Sequence, residues 1–130
     1  MNTFIETIEE SGITAHLRKD GIVHLFINDH THVTHSMLEN LIVQLKNLKK
    51  DKIPLIVEAG EFVTIGQDAK KYAKEFEDKA NISSRIIIAK NLAQKILVNY
   101  YYKSQVLDKP FKEFNSLNDA ESWLNENKSA

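Results

Sequence analysis

Residues 28–38 read Asn-Asp-His-Thr-His-Val-Thr-His-Ser-Met-Leu, which places histidines at 30, 32 and 35. Neutral imidazoles are common zinc ligands, and His-x-His-x-x-His after a strand is a spacing that metal-dependent hydrolases use. In an extended stretch His30 and His32 point to one side, and His35 could swing back at a helix entrance. Asp29 would then serve as a fourth ligand or as the partner that orients one. Hydrolysis of that kind also needs an aspartate within the motif and further histidines from distant loops to hold an activated water. Thr34 stands where that aspartate belongs, and all five histidines (16, 24, 30, 32 and 35) lie in the first 35 residues. As a metallohydrolase signature the pattern fails. The expectation is a solvated loop and no catalytic residues, with a surface metal site at His30, His32 and His35 as the alternative; no cofactor is expected.

The remaining catalytic arrangements are weaker still. Ser36, His35 and Asp29 are near neighbours in sequence, whereas a triad is assembled by the fold around an activated serine on a strained turn. Four glycines form neither a dinucleotide fingerprint nor a P-loop, and without cysteine there is no thiolate chemistry and no disulfide. Glu58 and Glu61 flank a turn and read as surface residues. His16 and His24 fall on facing strands and read as a cross-strand pair. In Asn99-Tyr-Tyr-Tyr-Lys103, Tyr100 and Tyr101 follow a helix's apolar face while Tyr102 projects elsewhere, a candidate partner or ligand surface.

A chain of 130 residues suits one domain, 1–130, with residues 1–12 of uncertain structure. Seventeen basic residues against eighteen acidic ones leave a net charge of −1, which gives no electrostatic footprint for nucleic acid. The N-terminus is acidic and lacks an apolar signal region, and the longest apolar runs are far shorter than the ~20 residues of a membrane span. A cytoplasmic protein without membrane insertion is expected.

The elements that must position these residues follow from periodicity. Ile13, Ala15 and Leu17 alternate with polar residues, Lys-Asp-Gly turns at Gly21, and Ile-Val-His-Leu-Phe-Ile resumes the pattern, so a β-hairpin is expected. Leu38, Leu41, Ile42, Leu45 and Leu48 form one helical stripe, started by Thr34 as N-cap with a Val33–Leu38 staple or by a Ser36/Glu39 capping box. The lysines at 46, 49 and 50 suit a solvated helix end. Pro54–Ala59 reads as a buried strand. Thr64 as N-cap and Gln67 three residues on read as a second capping box, before a helix that buries Ala69, Tyr72, Ala73, Phe76 and Ala80. Arg85–Ala89 is an interior strand, Leu92–Tyr101 a third helix with Leu92 and Ala93 on its apolar face, and Asp108–Phe114 a turn with a short edge-like strand. Ser116 with Asp119 starts a last helix that turns Leu117, Ala120 and Leu124 inward. The predicted order is β-β-α-β-α-β-α-β-α: an α/β fold with about five strands in a mixed sheet, an N-terminal hairpin and four helices. No internal repeat is evident.

This succession resembles the small bacterial SpoIIAA-like domains, relatives of the STAS (anti-anti-sigma) fold, many of them without an assigned function. The likeness runs over Ile13–Glu126 and is most specific in the C-terminal half, from Arg85-Ile-Ile-Ile-Ala through Lys109-Pro-Phe to Phe114-Asn-Ser and Trp123-Leu. It implies a regulatory, protein-binding domain without enzymatic activity; a homodimer is compatible with it, and a lipid or small-molecule site between sheet and third helix is the alternative. Regulatory STAS domains carry Asp-Ser-Ser-Gly at a helix start, the second serine being the phosphoacceptor. That segment falls on Val63-Thr64-Ile65-Gly66. Gly66 is kept and Thr64 matches the first serine, but Ile65 replaces the acceptor and Val63 the aspartate. Thr64 is thus the candidate phosphoacceptor, or with Gly66 an anion site at the helix start, with a plain helix cap as the competing role.

Overall fold

The computed structural model describes residues 4–10, 12–48, 51–95 and 111–127. Strands β1 (Phe4–Glu10), β2 (Ile13–Arg18) and β3 (Val23–Ile27) run antiparallel. A two-residue strand β4 (His32–Val33) and helix α1 (His35–Leu48) follow, then β5 (Ile53–Ala59), a second short strand β6 (Thr64–Ile65) and α2 (Gln67–Lys79). β7 (Ile82–Ile88), β8 (Phe111–Phe114) and α3 (Leu117–Asn127) complete the described elements, with a helical turn at 92–95.

The main sheet has six strands in the order β1-β2-β3-β5-β7-β8, antiparallel through β3 and parallel from β3 to β8. The mixed α/β fold is as expected, and the hairpin turns at Gly21 with φ 87°. One strand is added: the opening segment, ambiguous between periods, pairs along β2. β4 and β6 form a separate parallel ladder.

Each face of the sheet has its own core. Val23, Leu25, Ile53 and Leu55 pack under Leu41 and Leu45 of α1 and Ala69, Tyr72 and Phe76 of α2. On the opposite face Ile56, Ile86 and Ile88 meet Ala120, Leu117, Trp123 and Leu124 of α3. Arg18 anchors that helix to the hairpin through Nη2, 2.7 Å from both Asp20 and Glu121. Two caps form as the sequence indicates: Thr34 Oγ1 accepts from the Met37 amide at 3.3 Å, and Ser116 Oγ accepts from the Asp119 amide at 3.2 Å. Ser36 lies two residues past that cap, already inside α1. Leu92 departs from expectation, being 72% exposed; the rest of that predicted helix, with Tyr100, Tyr101 and Tyr102, lies outside the described residues. Among the described residues no helix is long and apolar enough to cross a membrane.

Candidate functional site

The histidine-rich segment is half of a paired structure. β3 lies against β5 with Val23 opposite Leu55, and the short ladder continues with His32 opposite Thr64, both 32 residues apart. The intervening loops, 28–31 and 60–63, therefore run side by side in step. Each enters a left-handed conformation at the same point, His30 at φ 62° and Phe62 at φ 57°. For a bulky aromatic this backbone is a true outlier, while histidine tolerates it better. The two rings stack with centroids 5.2 Å apart.

Four backbone-involving bonds hold the pair together. The His30 amide donates to Glu61 O at 2.8 Å, Thr64 N to Thr31 O at 3.0 Å, Gly60 N to Ile27 O at 2.7 Å, and Glu61 N to Asp29 Oδ1 at 2.8 Å. The approach is close enough to require glycine at position 60, since a Cβ there would sit 2.8 Å from the Asp29 backbone nitrogen.

Because side chains alternate along a strand, the ladder has an outside and an inside. Outside, His32 Nδ1 and Thr64 Oγ1 share a 2.7 Å hydrogen bond in solvent. Inside, Val33 and Ile65 face a cavity of about 460 Å³. Leu25, Ile27, Val57 and Ala59 form its floor, and Ala69, Ala73 and Phe76 of α2 one wall. Phe62 and Glu61 make one lip, Asn91 and Ala93 the other. The cavity opens at the carboxyl ends of the parallel strands, where ligands of open α/β sheets bind.

Arg85, Glu77 and Gln94, three of its polar lining residues, have partners of their own. Arg85, 2% exposed, pairs through Nε with Glu77 Oε2 at 2.8 Å. Gln94 Nε2 donates to Ala59 O at 3.2 Å and Gly60 O at 3.4 Å, while its Oε1 accepts from the Lys90 amide at 2.8 Å. The hollow has room for roughly fifteen waters at ~30 Å³ each, yet its walls are largely apolar.

Several expectations are corrected. Thr64 does not cap α2: the ladder holds it extended, Gly66 is the N-cap with φ −68° and ψ 157°, and Gln67 is the first helical residue. The missing cap function passes to Asp68, whose Oδ1 accepts from the Ala69 amide at 2.7 Å and whose Oδ2 accepts from the His35 amide at 3.3 Å. The His35 amide bond, then that from Ala69, holds the Asp68 carboxyl below its ordinary range. Gly66 also has no room for a side chain, as a Cβ would lie 2.7 Å from Asp68 Oδ1 and 3.2 Å from His32 Nε2.

The three clustered histidines diverge. His30 stacks on Phe62, His32 bonds Thr64, and His35 packs its ring 4.0 Å from that of Tyr72 with Nε2 3.7 Å from Glu39. Among the described residues no group of three or more histidine or acidic side chains is placed to hold a metal ion. His16 and His24 do face each other across the hairpin. Glu58 is not a surface residue: it is buried, accepts from His24 Nε2 at 3.0 Å, and is ion-paired with Lys90. Strand alternation sends it to the α3 face, where the His24 hydrogen bond and the Lys90 ion pair offset the cost of burying a carboxylate.

Residues 16–128 match the family described as a domain of unknown function, DUF7793. The chain belongs to the DUF7793 family. This DUF7793 chain also superimposes on an uncharacterised protein of the DUF3478 family from Shewanella loihica PV-4, which has a SpoIIAA-like fold. The TM-score is 0.55 over 95% of each chain at 15% identity. The SpoIIAA-like fold read from the sequence is therefore the fold of this DUF7793 member. No curated protein matches it.

Proposed function

We propose that the chain is a non-enzymatic binding domain whose cavity takes an uncharged, largely apolar small molecule. The observation that carries this reading is the hollow of about 460 Å³ between sheet and α2, within the range of roughly 300–1,000 Å³ typical of ligand pockets. Its walls favour an apolar surface, and the buried Arg85 and Glu77 are ion-paired with each other, so an ionised ligand would have to compete with that pair for a counter-charge.

The test is a titration with N-phenyl-1-naphthylamine, a neutral fluorophore that brightens in apolar surroundings. Wild type gives saturable one-site binding. Ala73→Leu, which grows three carbons into the hollow, abolishes binding while raising Tm. Loss of Tm would show that the space is already filled, because overpacking a closed core costs about 1–3 kcal/mol.

A second reading, regulatory contact with a protein partner, draws support from the outer face of the paired loops. Phe62 is 74% exposed at the adjoining rim of the cavity, and Thr64, on the outer face, carries the hydroxyl of the Val63–Gly66 segment without serving as a cap. In this reading Thr64 is the modified residue and Tyr102 belongs to the contact surface or to a homodimer. Mass spectrometry of phosphopeptides from native cells checks it: phosphate on Thr64 supports the reading, and Thr64 found only unmodified under all growth conditions removes it.

A further inference from the structure

We propose that the histidine-bearing loop is the brace that sets the mouth of the cavity, with His30 and His32 as positioning residues for ligand entry and exit. The inference rests on the cavity being a ligand site. Neither imidazole lines the cavity among its described walls. Both instead hold the segment that does. His30 stacks on Phe62, the exposed lip, and donates its amide to Glu61 on the same lip. His32 holds Thr64, next to Ile65 in the wall.

Beyond the backbone bonds at Gly60, Glu61 and Thr64, these side-chain contacts hold the tip of the lip. Phe62 is 74% exposed and sits in a left-handed backbone that an aromatic side chain disfavours. The ladder beneath it is two residues long, with Thr64 N bonded to Thr31 O and Gly66 N to Val33 O. A ladder that short has few bonds to share the load, so single side-chain contacts decide how often it opens. Asp29 Oδ1 holding the Glu61 amide places a third residue of the first loop in the same role. The first loop is thus polar because it works from outside, on a lip that contributes Glu61, Phe62, Val63 and Ile65 to the lining of the hollow.

Ligand dissociation and local opening are the readouts. In stopped-flow release of N-phenyl-1-naphthylamine, Thr64→Val and His32→Ala each speed dissociation roughly three- to tenfold, the scale of one lost hydrogen bond. Their combination adds little to either alone. His32→Asn, which can still bond the Thr64 hydroxyl, restores the rate to within about twofold. His30→Asn keeps the left-handed backbone but loses the stacked ring, and it too speeds release. Hydrogen exchange of the Thr64 and Gly66 amides accelerates in the same variants while Tm holds. Unchanged release and unchanged exchange in Thr64→Val overturn the brace. If wild type takes up no fluorophore, the cavity reading fails, and exchange at these two amides still decides whether the loop is braced.

Discussion

The two paired loops follow one backbone path and carry opposite chemistry. Residues 28–31 are Asn-Asp-His-Thr, and residues 60–63 are Gly-Glu-Phe-Val. Both leave a parallel strand, turn left-handed at their third residue and enter a helix after a two-residue strand. Yet the first loop offers side chains to the second, through Asp29, His30 and His32, while the second offers Phe62 and Val63 to the cavity. The difference teaches that a shared geometry divides the labour: one loop scaffolds and the other recognises.

The comparison breaks most visibly at its closest approach. Gly60→Ala pushes a Cβ into the Asp29 backbone and is expected to cost about 2–3 kcal/mol in denaturant unfolding, a typical overpacking penalty. Asn28→Ala, at the matching position of the first loop, should cost markedly less. Equal losses would mean that the loops are not pressed together as described. A smaller effect separates the left-handed positions. Phe62→Gly relieves the side chain's clash but loses the His30 stack and adds chain entropy, so it should change stability by less than about 0.5 kcal/mol. His30→Gly should cost about 0.5–1 kcal/mol, because histidine tolerates that backbone and its removal loses the same stack with little relief.

The smallest expected effect concerns the helix starts. Thr34 caps α1 itself, whereas Gly66 has no side chain and Asp68 serves both helices. A carboxyl held below its ordinary range contributes stability above that range and loses it as the pH falls through the depressed value. Unfolding midpoints measured between about pH 6 and pH 3 should therefore fall less steeply for Asp68→Asn than for wild type. Identical slopes would remove Asp68 from the junction.

Local features of this architecture were legible in the sequence. The hairpin, the α1 stripe and the Thr34 and Ser116 caps depend on residues within a few positions of one another. What sequence reasoning missed depends on distant pairing. The Thr64/Gln67 capping pattern is locally sound, but a ladder formed with His32 wins over it and moves the helix start to Gly66. A two-residue strand has no period to detect. Glu58 reads as exposed until His24 and Lys90 supply its partners. The cavity did leave a trace: Ala69, Ala73 and Ala59 are small residues at inward positions, where a filled core would carry larger ones. The histidine spacing, conspicuous as a ligand pattern, is better explained by three separate tasks in bracing and capping the second loop's neighbours.

The most direct test of the central claim is native mass spectrometry of the protein purified without a histidine tag, before and after addition of a neutral apolar probe. One small uncharged molecule per chain is expected, either retained from the cell or taken up from the added N-phenyl-1-naphthylamine, and none on Ala73→Leu. A chain that carries no adduct and takes up no probe, or an Ala73→Leu variant that binds as well as wild type, would contradict it.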